Sequence, residues 1–385
     1  MKEVGDCVKA KLLKKADVTS LPLYILEKLE NWAKPHDPNA SFRFVGGCVR
    51  DTLLGHKPKD YDVVTNTSSK ILEKMGLEDV GKAYPVYLYQ DEKYGQIEVA
   101  VARTEEKTGI GHKGFETTPT SNFEDDVVRR DLTVNALMVD VNGDLTGSPK
   151  ALEHIKSKIL ENNSDKFGED ALRVFRTARF AAQFGPDWQL SPQLLSIMKE
   201  MQGELASLSS DRVREEFRRA MGGKSPARFF AVLRISHCLS PWFSELEQNW
   251  NGVMVVVYYG GVQDWSFEQF LIGIGGVLSN PNQLMTRLNI GNAEKRAIHY
   301  IQTYKALLEN PKQYDTSVII QLIQNSRGIL PLDKLLDCAL SGGHTDSKNF
   351  LLACQEAMRR TNMEGVTGKE EALERLMVEV KKVNS

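Results

Sequence analysis

Two aspartates, Asp60 and Asp62, stand one residue apart in the segment KDYDVV, just before a run of apolar residues. On an extended strand, residues i and i+2 point to the same face, so we expect the two carboxylates to lie side by side. Their repulsion is costly unless a cation lies between them, and Mg²⁺ prefers carboxylate oxygens while leaving positions for phosphate oxygens and water. The pair therefore predicts a metal site, although a solvated strand surface is the plainer explanation of the same pattern.

A third acid, Glu98, lies among Ile, Val and Ala in the segment GQIEVAVAR. A carboxylate in such surroundings needs a partner or water. Glu98 therefore either joins Asp60 and Asp62 in a catalytic site or lies on the exposed face of an edge strand. In the first case, two metal ions about 3.5–4 Å apart would activate a 3′-hydroxyl and steady a leaving pyrophosphate.

A pair of glycines, Gly46 and Gly47, separates the apolar segment FRFV from a helical pattern that contains Arg50. Without a Cβ, the backbone N–H groups at such a turn can approach an anion closely. A simple tight turn is the alternative. The pattern is neither a dinucleotide-binding fingerprint nor a P-loop, because GxGxxG and GK[ST] are both absent.

A group of polar residues, Arg129, Arg130, Asp131 and Asn135, precedes and enters the apolar segment LTVNALMVD. Adjacent arginines cannot both face a core, so at least one is expected to reach a triphosphate or to pair with an acid. Asp131 could hold an arginine in place, and Asn135 could contact a ribose hydroxyl.

Four charged residues, Asp170, Arg173, Arg176 and Arg179, follow one another at steps of three in a helical pattern, and so share one helix face. Three arginines in register repel unless anions lie across them. A carboxylate beside a guanidinium can also read a base edge, because the acid accepts from an exocyclic amine while the arginine donates. Cytosine and adenine both carry such an amine, so the pair Asp170 and Arg173 could select C and A.

The elements that must position these residues change in type along the chain. An amphipathic helix is predicted in LPLYILEKLENWAK, ending at Pro35. Short strands with one or two helices are expected from Phe42 to about Asp140, and nearly everything after about residue 150 has a helical period. The stretch NGVMVVVYYGGV is either a strand or a buried helix. The pattern predicts an α+β fold, with a small sheet domain followed by a helical body.

Composition narrows the cellular context. The chain has 385 residues, a net charge of −2 and five scattered cysteines without zinc-type spacing. No apolar run is long enough to span a bilayer, and the first residues lack the apolar core of a signal peptide. We therefore expect a cytoplasmic protein with reduced thiols and no membrane partner.

The order of these motifs resembles that of the class II tRNA nucleotidyltransferases (CCA-adding enzymes) and their bacterial poly(A) polymerase relatives. The motifs that carry the resemblance are GGCVRD (46–51), DYD (60–62), RRDLTVNAL (129–137), EDALR (169–173) and SSDRVREE (209–216). They cover about half of the chain. The resemblance implies a polymerase-β-like nucleotidyltransferase head with a small mixed sheet, followed by an all-helical neck, body and tail.

The resemblance also implies domain limits and roles for the motif residues. We expect an N-terminal helical extension (1–40), a catalytic head (41–150), a neck with the nucleotide-selecting helix (151–235) and a tRNA-binding body and tail (236–385). The activity implied is untemplated addition of C, C and A to the 3′ end of tRNA from CTP and ATP, with Mg²⁺. The implied catalytic residues are Asp60, Asp62 and Glu98, with the metal on Asp60 and Asp62. The implied nucleotide-binding residues are Gly46, Gly47, Arg50, Arg129, Arg130, Asp131, Asn135, Asp170, Arg173, Arg176 and Arg179.

Three activities share this chemistry: full CCA addition, partial addition of CC or A, and poly(A) synthesis. The segment 104–122 is long, polar and rich in glycine, which predicts the mobile loop that full addition requires. CCA addition is therefore preferred, and partial addition or poly(A) synthesis is the alternative. A nucleic-acid-binding protein that has lost catalysis is disfavoured because both metal aspartates are present. No hydrolase activity is expected, and the oligomeric state stays open.

Overall fold

A computed structural model of the chain describes residues 11–12, 18–81, 84–109 and 115–384. These residues form two compact units. The first unit contains the described residues of Met1–Thr177, with Pro186–Leu208 and Ile235–Cys238, and the second contains Ala178–Gly185, Ser209–Arg234 and the described part of Leu239–Ser385.

An eight-stranded mixed sheet is the centre of the first unit. In the described residues the strands are β1 Lys11–Leu12, β2 Phe42–Val45, β3 Asp62–Thr65, β4 Glu78–Asp79, β5 Val86–Asp91, β6 Gly95–Val101, β7 Arg103–Lys107, β8 Phe115–Pro119, β9 Leu137–Val139, β10 Leu145–Gly147, β11 Ile159–Leu160 and β12 Gln189–Leu190. The strand order in the sheet is β1-β10-β9-β2-β3-β6-β5-β4. Strands β3 and β6 are parallel, whereas their other neighbours in the sheet are antiparallel.

Helices make up most of the rest of the described chain. Those that begin before residue 200 are α1 Leu23–Ala33, α2 Gly47–Leu53, α3 Ser69–Lys74, α4 Phe123–Val128, α5 Ala151–Ser157, α6 Leu172–Phe184 and α7 Pro192–Glu200. The later ones are α8 Ser210–Met221, α9 Ala227–Ile235, α10 Trp250–Val262, α11 Phe267–Val277, α12 Asn282–Arg287, α13 Asn292–Glu309, α14 Thr316–Asn325, α15 Leu332–Leu340, α16 Thr345–Arg360 and α17 Lys369–Asn384.

The sheet has apolar side chains on both faces, because neighbouring residues of β2 point in opposite directions. On one face Val45 packs with Phe123 and Val127 of α4, in a cluster that also contains Val64 and Met138. This packing fixes α4, and with it the arginines that follow α4, over the same face.

Helix α1 packs against β2 and forms where the sequence predicts it. Its apolar residues Ile25, Leu26, Leu29 and Ala33 recur at helical spacing and are completely buried. The helix ends two residues before Pro35, which cannot continue it. Strand β1 joins the same sheet by pairing with β10.

The second unit is helical throughout its described residues. Its core contains a cluster of stacked and edge-on rings from Phe217, Phe229, Phe230 and Phe243. The ambiguous stretch 251–262 forms part of helix α10, so the helical alternative is confirmed. Together, the sheet of the first unit and the helices that follow confirm the predicted α+β class. No helix in the described residues combines the length and apolar character needed to cross a membrane.

One expectation about the segment 104–122 is wrong. Instead of a long loop, β7 and β8 form an antiparallel hairpin in which Arg103 pairs with Pro119 and Lys107 with Phe115. Only the connection between the strands is available as a loop, and its residues 110–114 lie outside the described residues.

Candidate active site

The acids Asp62 and Glu98 lie side by side because β3 and β6 pair in parallel with Asp62 directly opposite Glu98. Both side chains are exposed on the same face of the sheet. Strand β6 has β3 on one side and β5 on the other, so the edge-strand explanation of Glu98 is wrong. Asp60 precedes β3 and lies in a bend rather than on the strand, which begins at Asp62.

Electrostatic repulsion acts on Asp62. The pKa of Asp62 is raised to about 6, mainly because nearby protein atoms replace water around the carboxylate. The charges of Glu98 and Asp60 also contribute to this rise, and Arg130 opposes it. The side chain keeps an exposed outer surface, so the desolvation is one-sided. The site therefore has an excess of negative charge that a cation would relieve.

The protein alone does not build a complete metal centre. No group of three or more His, Cys, Asp or Glu in the described part of the chain is arranged to hold a metal ion. The adjacent carboxylates nevertheless fit Mg²⁺, which is commonly held by one or two carboxylates and completes its shell with substrate phosphates and water. The raised pKa of Asp62 is also consistent with a Mg²⁺ site, because a divalent cation would relieve the repulsion between Asp62 and the carboxylates of Glu98 and Asp60.

The glycine turn faces an arginine. Gly46 has φ +69°, in the region that favours glycine, and a Cβ placed on it would lie 3.1 Å from Nη1 of Arg130. Gly47 begins α2, one turn before Arg50. The absence of a side chain at Gly46 thus allows the Arg130 guanidinium to lie against the backbone beside Asp62.

Both adjacent arginines share one buried acid, Asp126 of α4, which is completely inaccessible to solvent. Arg129 Nε donates to Asp126 Oδ1 at 2.8 Å, and Arg130 Nη2 donates to Oδ2 at 2.7 Å. Burial opposes ionisation, yet the two guanidinium groups hold the pKa of Asp126 below its usual range. Asp126 was missed in the sequence, although its spacing of three and four residues from the arginines is a signal for helical ion pairs.

A second buried acid, Asp131, links two further arginines. Its Oδ2 accepts from Arg176 Nε at 2.8 Å, and its Oδ1 accepts from Asn135 Nδ2 at 3.0 Å. Asn135 in turn accepts from Arg50. Burial disfavours the charge, but Arg176, Asn135 and Arg173 together hold the pKa of Asp131 well below its usual range. Asn135 is thus occupied within the protein, where the sequence suggested a ribose contact.

Arg173 is nearly buried, with 7% of its surface exposed, and it donates to backbone carbonyls. Its Nη2 bonds the carbonyl of Arg129 at 2.6 Å and its Nη1 bonds the carbonyl of Lys166. Lys166 Nζ bonds the carbonyl of Glu105 at 2.6 Å, and the Glu105 carboxylate accepts from Arg129 at 3.1 Å. These four residues form a closed ring of hydrogen bonds between the hairpin and α6. Lys166 and Glu105 carried no spacing signal that would have identified them.

Two details of the arginine helix differ from expectation. Asp170 lies before α6, where its Oδ1 accepts from the backbone N–H of Leu172 at 3.0 Å. Arg179 belongs to the second unit, where it pairs with Glu216. Each arginine of the series therefore has an acceptor in the protein, so their repulsion does not require a bound anion, as the sequence had suggested.

Two protein families match the chain. Residues 42–161 match the family described as "Poly A polymerase head domain", and residues 187–249 match "Probable RNA and SrmB- binding site of polymerase A". The first match includes the acids, the glycine turn and the Arg129–Asn135 segment.

Curated relatives match over about half of the chain. The chain is 41% identical over 209 residues to a "Multifunctional CCA protein" of Hahella chejuensis, a match of 52% of this chain and 49% of the relative. It is 41% identical over 212 residues to a "CCA-adding enzyme" of Alteromonas mediterranea, covering 53% and 52% of the two chains. The chain therefore matches about half the length of these relatives.

Solved structures share the fold over nearly the whole chain. A "CCA-adding enzyme apo form II" superimposes with a TM-score of 0.72 and 19% identity over 98% of this chain and 96% of the other. A "Thermotoga maritima CCA-adding enzyme complexed with tRNA_CCA" gives a TM-score of 0.72 with 18% identity over 97% and 95%. A "Bacillus stearothermophilus CCA-adding enzyme in complex with CTP" gives 0.67 with 20% identity over 94% and 93%.

Proposed function

We propose that the chain belongs to the family of class II tRNA nucleotidyltransferases and bacterial poly(A) polymerases, and that it adds CCA to the 3′ end of tRNA from CTP and ATP. The observation that carries the proposal is the placement of Asp62 opposite Glu98, beside Asp60 and Arg130. Nucleotidyl transfer needs this combination of acids that hold a cation and a guanidinium that holds phosphate.

The acids have separate roles in the proposal. Asp60 and Asp62 would hold Mg²⁺, and Glu98 would supply the third carboxylate beside them. When bound, Mg²⁺ would activate the 3′-hydroxyl of the RNA and stabilise the charge on the leaving pyrophosphate. The carboxylates would hold the cation in one place, so that the groups bound to it meet in a fixed arrangement, which removes much of the entropic cost of bringing them together.

The triphosphate would bind between the glycine turn and the adjacent arginines. Gly46 and Gly47 let the guanidinium groups of Arg130 and Arg50 lie close to the backbone. Arg129 and Arg130 present guanidinium forks that Asp126 holds in place. Arg50 is oriented toward the same network through Asn135. A fork whose geometry is fixed in advance loses less entropy when phosphate binds.

Base selection is assigned to Asp170 and Arg173. The two carbonyls of Arg129 and Lys166 hold the Arg173 side chain, so its remaining N–H groups have fixed directions. Asp170 would accept from the exocyclic amine of C or A, and Arg173 would donate to the neighbouring ring position. Arg176 supports this arrangement through Asp131.

The activity test uses tRNA that lacks its last three nucleotides, with Mg²⁺ and labelled CTP and ATP. We expect extension by three nucleotides. One or two added nucleotides would identify a partial enzyme, a long A tail would identify a poly(A) polymerase, and no addition would overturn the proposal in favour of a binding protein.

The variant Asp62→Ala tests the acid site. We expect incorporation to fall at least about a thousandfold, since a metal ligand is lost, while tRNA affinity changes little. Glu92→Gln, an exposed acid at the turn between β5 and β6, is the matched control and should retain activity. If Asp62→Ala stayed active, the assignment of the metal site would be wrong.

Further features of the protein are part of the same proposal. We place the protein in the cytoplasm, where tRNA is processed. We also retain the division into 1–40, 41–150, 151–235 and 236–385 as functional parts, with the last of these binding tRNA.

A further inference from the structure

A cavity of about 440 Å³ opens on the first unit at the end of α2. Its lining combines hydroxyl, cationic and aromatic side chains. The residues are Thr19, Ser20, Thr52, Gly55, His56, Lys57, Pro58, Tyr61 and Tyr94. This volume lies within the range of roughly 300–1,000 Å³ that is typical of small-molecule sites.

The cavity is separate from the acid site. Tyr61 lies between Asp60 and Asp62 in the chain, and its ring packs edge-on against Phe44 at 5.9 Å. Phe44 pairs with Val63, which alternates with Asp62 along β3. Because neighbouring residues of an extended strand point to opposite faces, the wall formed by Tyr61 lies on the other face of the sheet from the Asp62 carboxylate.

The charges around the cavity favour an anion. His56 and Lys57 are exposed at the rim, and Lys93 Nζ lies 5.2 Å from the centre of the Tyr94 ring. The nearby acids already have donors. Asp51 is paired with Arg50 at 2.7 Å, and Asp91 accepts from the Tyr24 hydroxyl at 2.9 Å. None of these acids lines the cavity, whose lining contains His56 and Lys57, so the wall itself offers hydrogen-bond donors to an anion.

We propose that this cavity binds a nucleoside phosphate at a second site, distinct from the acid site. The phosphate would lie against His56 and Lys57, because cations and phosphate oxygens form strong charge-assisted hydrogen bonds. The base would pack against Tyr94, since every base offers a π-face to an aromatic ring. The ligand is either a free nucleotide or a nucleotide of an RNA chain, which share this chemistry.

Photocrosslinking of the full chain with 8-azido-AMP, followed by peptide mapping, locates the ligand independently of activity. We expect an adduct on the peptide that contains Tyr94 or Tyr61, in addition to any adduct at the acid site. Lys57→Ala should reduce the cavity adduct at least fivefold and leave the acid-site adduct unchanged. Lys74→Ala, on α3 of the same unit, is the matched control. No cavity adduct, or one that persists in Lys57→Ala, overturns the proposal.

Competition then identifies the source. Protection by AMP indicates a free nucleotide, and protection only by a trinucleotide indicates an RNA chain. Inorganic phosphate protecting as well as AMP would overturn the nucleoside part.

Discussion

At the scale of the residue, Gly46 shows how a missing side chain contributes to a binding site. Its backbone has φ +69°, and a Cβ added to Gly46 would lie only 3.1 Å from Nη1 of Arg130. A substitution at this position therefore has two separate effects, one on the backbone and one on the guanidinium.

The variant Gly46→Ala should lower incorporation strongly, because the added methyl group displaces Arg130 from the phosphate site. The backbone strain should cost only about 1–2 kcal/mol of unfolding free energy. Gly76→Ala is the matched control, since Gly76 has φ +75° with nothing within 4 Å of the added Cβ. If both variants lost activity equally, the contact with Arg130 would have no role. Steady-state incorporation and urea unfolding measure the two effects.

Arg173 is the residue on which base choice depends in our proposal. Arg173→Ala should relax discrimination against UTP and GTP before it abolishes incorporation, because the donor that reads the ring position is gone. Arg173→Lys keeps the charge without the fork, so it should relax selectivity as well. Competition between labelled CTP, ATP, UTP and GTP gives the selectivity ratio. A variant that stayed faithful to C and A would contradict the assignment.

At the scale of the element, α4 holds the arginines through one inaccessible acid. Asp126→Asn removes the charge that Arg129 and Arg130 share, and breaking a buried pair on one side typically costs about 3–5 kcal/mol. We expect a loss of this size in urea unfolding, with nucleotide affinity reduced. Glu124→Gln, exposed in the first turn of the same helix, should change stability by less than about 1 kcal/mol. Equal effects of the two substitutions would show that Asp126 is not the anchor.

Local patterns predicted some elements well and others not at all. The strands β2, β3, β5 and β6 were predicted because their apolar and β-branched residues alternate or run together over a packed face. The hairpin of β7 and β8 was missed because most of its side chains are polar or charged, so no apolar alternation marks it. Its pairing is set by backbone hydrogen bonds, which a composition rich in Thr and Glu does not reveal.

The residues of the candidate site could be predicted from their types and spacing, but the residues that hydrogen-bond to them could not. The acids, the glycines and the arginines were identified from spacing, and the structure brings the acids together with Arg130. The partners Asp126, Glu105 and Lys166 arise from contacts across the fold. Lys166 contributes through its backbone carbonyl as well as its ammonium group, and any residue type has such a carbonyl.

At the scale of the whole molecule, acids with lowered pKa values occur in both units. Asp126 and Asp131 lie in the first, and Glu245, paired with Arg287 at 2.8 Å, lies in the second. Each of the three is buried, and the opposing arginines outweigh the burial. A carboxylate whose pKa is lower in the folded state stabilises the protein above its unfolded pKa, and this stabilisation is lost as the pH falls.

The free energy of unfolding should therefore decrease as the pH falls below about 4, where the unfolded carboxylates begin to bind protons. Each group contributes at most about 1.4 kcal/mol per pH unit. Urea unfolding at a series of pH values measures the slope. Glu245→Gln should reduce the slope by the share of one group, whereas Glu92→Gln should leave it unchanged. If Glu245→Gln left the pH dependence of the unfolding free energy unchanged, the ion pair of Glu245 with Arg287 would not contribute to that dependence.

The parallel pairing of β3 with β6 makes the acid pair sensitive to insertions and deletions. A shift of β6 by one residue would replace Glu98 by Ile97 or Val99 beside Asp62, and would turn the carboxylate into the packed interior. One amino acid inserted within β6 would thus move Glu98 away from Asp62, although every residue of the sequence motifs would still be present. Changes of length are tolerable in this part of the chain only in the turns, so the register of β6 against β3 is itself a condition for the proposed catalysis.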